Sequence, residues 1–138
     1  TGAPNSCPYG WVTYKKSCYK IFLKAKTWTE AEMFCVDQKT GCHLASIHGV
    51  AESFQLAKYI SRYLSFTNVW IGLKDPKQQR VWRWSDGSST GYTSWTRGGP
   101  NSLWHNDDCA ELQSWSGYVS WNIRDCNFLR AFLCQCPL

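Results

Sequence analysis

The sequence is organised around the stretch Val69-Trp70-Ile71-Gly72-Leu73. It is a short apolar run with two β-branched residues, and such a run is typical of a strand buried on both faces of its sheet. Gly72 inside the run predicts a bulge, or a second segment of backbone that passes close by. We therefore expect this strand to be central. The residues before it would cover one side, and those after it would form a loop-rich surface.

The residues before this strand begin with a predicted hairpin and helix. Residues 11–14 and 17–22 are strand-like runs on either side of two lysines, which predicts an opening hairpin. Thr27 and Glu30 then have the spacing of a capping box, in which each side chain satisfies a backbone N–H of the other residue. A helix should begin here and end near Gly41. The residues expected on its buried face are Trp28, Ala31 and Cys35.

A second helix is predicted over residues 50–64. Apolar residues recur there at steps of three and four, the spacing of one helix face. We expect that face to be core rather than a cofactor site. Its members are Val50, Phe54, Ala57, Ile60 and Leu64.

The residues after the central strand predict short strands separated by a long loop. Residues 81–87 alternate between apolar and polar and end in the turn signal Asp86-Gly87. Residues 109–113 and 118–122 predict a hairpin around 115–117, and residues 132–136 predict a final strand. Between them, residues 87–108 are rich in Ser, Thr, Gly and Asn. A loop of this length in a compact domain usually serves function, so we expect the functional surface here.

Length and composition predict one small extracellular domain. The 138 residues divide into a polar lead-in (1–6) and a single domain (7–138). The net charge is +5, but the basic residues are scattered, which argues against nucleic acid as a partner. No stretch is apolar over the length of a membrane helix, so we expect no membrane insertion. The chain starts at Thr1 without an apolar leader, as expected for a secreted protein whose signal peptide has been removed.

The cysteine count supports the same compartment. Eight cysteines in a short chain predict a disulfide framework formed under oxidising conditions. Zinc binding is the competing interpretation, but no Cys-x-x-Cys pair is present. His43, His48 and His105 also lack paired ligand spacing. The chain shows no nucleophile elbow, zinc-protease motif or phosphate loop either, so we expect no enzyme activity.

Seven short segments, together with the predicted helix up to Cys35, occur in this order and resemble the C-type lectin-like domain, and the resemblance covers essentially the whole chain. The chain looks like the small secreted stand-alone members, namely snake-venom galactose lectins, regenerating proteins and eggshell lectin-like proteins. The resemblance implies an α+β fold with two helices flanking antiparallel sheets, a long irregular loop and four disulfides. The matching segments are Cys18-Tyr19-Lys20, His43-Leu44-Ala45-Ser46-Ile47, Trp70-Ile71-Gly72-Leu73, Trp82-Arg83-Trp84-Ser85-Asp86-Gly87, Cys109-Ala110-Glu111-Leu112, Trp121-Asn122 and Cys134.

The resemblance also implies a cysteine pairing, which the residues alone leave open. Venom galactose lectins usually carry one more cysteine, which links two chains. Here that neighbourhood is Ser88-Ser89-Thr90, so we expect no interchain disulfide. The implied bridges are Cys7–Cys18, Cys35–Cys134, Cys42–Cys136 and Cys109–Cys126.

The resemblance further implies calcium as the one cofactor candidate. Family members take ligands from Glu-Pro-Asn or Gln-Pro-Asp in the long loop, from a Glu near the hairpin cysteine, and from Trp-Asn-Asp. The matching candidates here are Asn101, Asp107 and Asn122. Gly99 offers no side-chain oxygen, however, and Ile123 replaces a carboxylate with a hydrocarbon. Because calcium needs six to eight oxygen ligands, we expect a weak site or none.

Other acids could compensate for the missing ligands. Asp108 or Asp125 could replace a lost carboxylate, and Asp75 could join Asp107 and Asp108 in an accessory site found in some relatives. The competing interpretation is that these acids are solvated or paired with arginine.

The expected ligand surface combines the long loop with the hairpin tip. Trp115 at the tip should be exposed, whereas Trp104 could face a ligand or fold inward to pin the loop. The partner would be a glycan or an extracellular protein. The alternatives are a calcium-dependent lectin with a degenerate site, or an eggshell or biomineral matrix protein on a mineral surface. The candidate ligand-binding residues are Arg97, Asn101, Trp104, His105, Asp107, Trp115 and Asn122.

Overall fold

The computed structural model describes residues 6–76, 80–97 and 108–138. The strands within these ranges are β1 (Val12–Tyr14), β2 (Ser17–Lys26), β3 (His43–Leu44), β4 (Val69–Asp75), β5 (Arg83–Trp84), β6 (Asp108–Leu112), β7 (Trp121–Asp125) and β8 (Arg130–Pro137). The helices are α1 (Trp28–Val36), α2 (Val50–Ile60) and a 3-10 helix over Ser114–Ser116.

The strands form one sheet in the order β1-β2-β8-β4-β6-β7, with β3 paired to β8 and β5 paired to β4. Neighbouring strands run antiparallel except β4 and β8, which are parallel. Two helices and a mainly antiparallel sheet confirm the predicted α+β class. The parallel pair arises because the last strand returns between the first hairpin and the central strand. The two ends of the domain are thereby joined.

The central strand β4 has the predicted burial on both faces. Every residue of Val69–Asp75 is buried except Lys74, which is half-buried. Gly72 also meets a second segment, as predicted: its N–H donates to the Ala45 carbonyl at 2.8 Å. A Cβ on Gly72 would lie 2.7 Å from the Leu44 carbonyl oxygen, so only glycine lets the two backbones approach this closely.

Helix α1 begins as predicted and ends earlier. Thr27 Oγ1 accepts from the Glu30 N–H, and the Glu30 carboxylate accepts from the Thr27 N–H, so both halves of the capping box are present. The expected end near Gly41 is wrong, because the helix stops at Val36. The next four residues are polar, and further helical turns would bury no apolar surface there.

Helix α2 also ends early, at Ile60 rather than at residue 64, and its buried face differs from the prediction. Val50 and Phe54 are each 56% exposed, so assigning them to the core was wrong. The buried face carries Ser53, Leu56, Ala57, Tyr59 and Ile60. Both faces have apolar residues at helical spacing, and only packing against the sheet decides which face is covered.

After β4, β5 is shorter than predicted and β7 is shifted, whereas the final strand β8 is longer than the predicted 132–136. Of residues 81–87, only β5 is a strand; Val81 is 46% exposed, although Gly87 does form the predicted turn by donating to the Trp84 carbonyl at 3.0 Å. In the later hairpin, β7 starts at Trp121 rather than at residue 118. Tyr118 takes a positive φ of 70°, which a strand does not allow.

All eight cysteines form disulfides within the chain, in the pairing that the resemblance implies. The bridges are Cys7–Cys18, Cys35–Cys134, Cys42–Cys136 and Cys109–Cys126. Neither described helix is long and apolar enough to cross a membrane.

Candidate functional site

The candidate site is built on the hairpin of β6 and β7. The two strands pair antiparallel, so that Ala110 lies opposite Ile123 and Glu111 lies opposite Asn122. The Cys109–Cys126 disulfide ties the open end of this hairpin. Successive side chains point to opposite faces of a strand. Asn122 and Ile123 therefore face opposite sides of β7.

The tip of the hairpin is fastened to the loop that precedes β4. The Ser114 N–H donates to Asn68 Oδ1 at 2.9 Å, and its hydroxyl donates to the Phe66 carbonyl at 3.2 Å. The Tyr118 hydroxyl donates to the Thr67 carbonyl at 2.9 Å. Three bonds from the tip therefore order both segments, and a ligand that binds them would find them already positioned.

Two aromatic side chains project from these joined segments. Trp115 is 75% exposed, which confirms the prediction that it lies at the surface. Phe66 is 92% exposed and was missed, although it is an aromatic residue within a polar loop. The hydrogen bonds from Ser114 and Tyr118 bring the two segments together. The chain order alone carries no signal of that proximity.

A buried carboxylate stands behind the tip. Glu111 is fully buried and accepts from Asn68 Nδ2 at 2.8 Å and from Asn122 Nδ2 at 3.0 Å. Arg124 and Arg130 each donate through Nε to this carboxylate at 3.0 Å, so it is paired with two guanidinium groups. A buried charge persists only when it is paired and hydrogen-bonded. This network links the hairpin, the tip and β8.

The network includes Asn122, one of the predicted calcium ligands. The amide nitrogen of Asn122 donates to Glu111, which orients the Asn122 side chain toward that carboxylate. Ile123 is 8% exposed, on the opposite face of β7, across from Ala110 of β6. The predicted ligands Asn101 and Asp107 lie outside the described residues, and so do Trp104 and His105.

Arg97 belongs to the long loop and follows a segment that is hydrogen-bonded to β7. The preceding residue, Thr96, donates its N–H to the Trp121 carbonyl at 2.8 Å, and Trp121 donates to the Ser94 carbonyl at 2.7 Å. Arg97 itself is exposed. The structure therefore places residues 94–96 of the long loop beside β7, the strand that carries Asn122. Trp115 lies at the tip of the same hairpin.

The acids proposed for compensation occupy neighbouring strands. Asp75 pairs with Asp108, and Asp108 with Asp125, across β4, β6 and β7. Asp75 and Asp108 are both 2% exposed, and Asp75 accepts the Arg80 N–H at 2.8 Å. Asp125 Oδ1 accepts the Asn127 N–H in a turn. Across residues 6–76, 80–97 and 108–138, no group of three or more acids, histidines or cysteines has the arrangement of a metal site.

A histidine, a serine and an aspartate also meet near the β5 turn. His48 Nε2 lies 3.0 Å from Ser88 Oγ, and Ser88 Oγ donates to Asp86 Oδ1 at 2.5 Å. Burial alone raises the pKa of Asp86, but bonds from Ser46 and Ser88 outweigh it and hold that pKa below its ordinary value. In a hydrolytic triad the carboxylate orients the histidine and the histidine takes the serine proton. Here the serine bridges the other two, so this arrangement stabilises a turn.

Comparisons with known proteins agree with this fold. The model of the lectin C-type domain matches residues 24–136. A C-type lectin mannose-binding isoform from Oxyuranus scutellatus is 53% identical over 131 residues, covering 94% of this chain and 83% of that protein. Human lithostathine superposes with a TM-score of 0.89 at 34% identity, covering 96% and 100%. A calcium-independent type II antifreeze protein superposes with a TM-score of 0.82 at 30% identity, covering 96% and 95%.

Proposed function

Because the chain belongs to the C-type lectin domain family, we propose that it is a secreted, non-catalytic recognition module. Its ligand is a glycan or an extracellular protein, bound by the loop over 97–108 and the hairpin tip. Binding there does not use a calcium ion that bridges protein and sugar. Four disulfides support a location outside the cell, where such bonds persist.

The observation that carries this proposal is the side-chain arrangement of β7. Calcium is a hard cation that prefers carboxylate and carbonyl oxygens. At the position of the family carboxylate, Ile123 presents hydrocarbon and is only 8% exposed. Its neighbour Asn122 donates to Glu111, and this contact already orients the amide without an ion. The antifreeze relative, named as calcium-independent, supports the idea that this fold works without calcium.

Ligand contact would instead come from exposed aromatic and basic groups. Trp115 supplies a large flat surface at a fixed position, and aromatic rings of this kind often dominate binding energy. Arg97 supplies a guanidinium at the start of the loop. Asn101, Trp104, His105 and Asp107 are further proposed contacts along the loop.

A glycan array, run once with calcium and once with a chelator, tests the proposal, with calcium titration by calorimetry alongside. We expect any glycan signal to be the same in both arrays, and no calcium binding at micromolar concentrations. The mannose-binding relative favours one rival function, a calcium-dependent lectin with a degenerate site. Micromolar calcium binding, with mannose or galactose recognised only in its presence, would establish that rival.

The tip is tested with Trp115→Ala and the control Tyr9→Ala. Tyr9 is fully exposed and far along the chain from the hairpin, so it is a matched loss of one aromatic ring. We expect Trp115→Ala to weaken binding of an array-positive ligand about tenfold, as for an interface anchor, with folding intact. An affinity that ignores Trp115→Ala, or that falls equally with Tyr9→Ala, contradicts a ligand surface at the tip.

A further inference from the structure

A second candidate site lies away from the hairpin, in a cleft between β1 and α2. Its volume is about 160 Å³, enough for one small polar group. Strand β1 contributes Thr13 and Tyr14. The helix and the turn after it contribute Gln55, Lys58, Tyr59 and Arg62.

The charge of this cleft has one sign. Lys58 and Arg62 are four residues apart along α2 and its final turn, so both side chains lie on the same face. The lining includes no carboxylate. Lys15 follows Tyr14, but its charge acts on Glu52 of α2, so the cations of the lining itself are Lys58 and Arg62. Such a concentration of positive charge attracts anions.

Helix stabilisation alone explains only part of this arrangement. A cation in the last turn of a helix offsets the partial negative charge there, and Lys58 occupies that turn. The end of the helix carries only about half a unit of charge, which one lysine balances. The charge of Arg62 remains.

Uncharged hydrogen-bond donors complete the lining. The Tyr59 hydroxyl accepts the Ile21 N–H at 3.0 Å, so its own proton is directed to a second partner. Burial raises the pKa of Tyr59, so this hydroxyl keeps its proton at neutral pH. Gln55 adds an amide, whereas the Thr13 hydroxyl already donates to Cys7 Sγ at 3.0 Å. Fixed donors beside cations are the usual environment of a bound oxyanion.

We propose that this cleft binds a sulfate ester or carboxylate group of an acidic saccharide. Arg62 offers a planar fork of donors that matches an oxyanion, and Lys58 adds a point charge. The half-buried ring of Tyr14 provides apolar surface for the sugar ring that carries the anion. The lining of this cleft shares no residue with the hairpin tip.

Calorimetry with a heparin tetrasaccharide, a hyaluronan tetrasaccharide and sodium sulfate tests the site. The first probe carries sulfate esters, the second only carboxylates, and the third a free anion. We compare the wild type with Lys58→Ala/Arg62→Ala. The matched control is Lys24→Ala/Arg83→Ala, which removes two positive charges from exposed positions outside the cleft.

We expect the wild type to bind at least one tetrasaccharide, and the cleft variant to lose about tenfold or more in affinity. The control should lose less than about threefold, because it changes only the net charge. Sodium sulfate should compete with the bound tetrasaccharide.

Equal losses in the cleft variant and the control would overturn the proposal, since general attraction would then explain binding. Absence of binding by both tetrasaccharides would overturn it as well. Circular dichroism checks that each variant is folded. As a measurement that needs no variant, the amide resonances of Thr13 and Arg62 should shift when the wild type binds the tetrasaccharide. Shifts confined to other surfaces contradict the cleft.

Discussion

Gly72 occupies a place where the backbones of two segments touch the central strand. An added Cβ would lie 2.7 Å from the Leu44 carbonyl oxygen and 2.8 Å from Ser85 Oγ, both closer than van der Waals contact allows. Gly72→Ala should therefore destabilise the protein by about 1–3 kcal/mol through overpacking, measured by urea unfolding. Gly91→Ala is the control, because nothing lies within 4 Å of its added Cβ. Equal stability of the two variants would show that Leu44 and Ser85 can move away from residue 72 at little cost in free energy.

Glu52 gives a prediction whose sign depends on pH. Burial raises the pKa of its carboxyl, and the N–H of His48 and the charge of Lys15 only partly offset this effect. A folded-state pKa above the unfolded one contributes stability at low pH, and this contribution is lost as pH rises through the folded value. At neutral pH the charged Glu52 therefore destabilises the fold.

Glu52→Gln keeps an oxygen that can accept the His48 N–H, a bond of 3.1 Å in the wild type, and removes the charge. The variant should melt at a higher temperature than the wild type at about pH 7. The two should melt alike at about pH 3, where both side chains are neutral. Glu30→Gln is the opposite control, because bonds from Thr27 lower the pKa of Glu30. It should melt lower at pH 7. A lower melting temperature of Glu52→Gln at pH 7 would refute the assignment.

At the scale of a single element, α2 shows how packing selects one face among two. Leu56 is 2% exposed and belongs to the main core, whereas Phe54 is 56% exposed. Leu56→Ala should cost about 2–5 kcal/mol, because it leaves a cavity. Phe54→Ala should change the free energy of unfolding by less than about 0.5 kcal/mol, as at most surface sites. If Phe54→Ala lowers the urea midpoint as much as Leu56→Ala does, Phe54 belongs to the core, as predicted from the sequence.

The same helix marks the limit of prediction from sequence. The capping box at Thr27, the buried run of β4 and the approach at Gly72 are local patterns, and each was predictable from a few adjacent residues. The buried face of α2 was not predictable in this way. Apolar residues recur on more than one face of this helix, and packing against the sheet decides which face is buried.

The candidate site divides in the same way. Exposure of Trp115 followed from its place at a hairpin tip, where little structure can cover it. The link between Phe66 and Ser114 depends on segments that are distant along the chain. The turn of Asn122 toward Glu111 depends on two arginines gathered around one buried carboxylate. Contacts of this kind are properties of the folded molecule.

At the scale of the whole molecule, two long-range disulfides hold the beginning and the end of the chain together. Cys35–Cys134 joins α1 to β8 across 99 positions, and Cys42–Cys136 joins the segment before β3 to the same strand across 94. Between these cysteines the described chain has long stretches without regular structure. Small domains with so much irregular backbone depend on such covalent links, because the core alone offsets little more than the chain entropy.

The bridges should therefore differ in their contribution to stability mainly through the buried core around them. Cys35→Ala/Cys134→Ala leaves Cys42–Cys136 in place, which joins nearly the same positions, so the loop released is the short one through that bridge, for about 3 kcal/mol or less in the chain-entropy account. Both sulfurs also lie in the fully buried core, so the variant creates a cavity as well. Cys7→Ala/Cys18→Ala opens only 11 positions, for about 3 kcal/mol or less. Urea unfolding of the two variants measures the difference. A larger loss from the short bridge would mean that the opening hairpin, rather than the junction of α1 with β8, limits the stability of the domain.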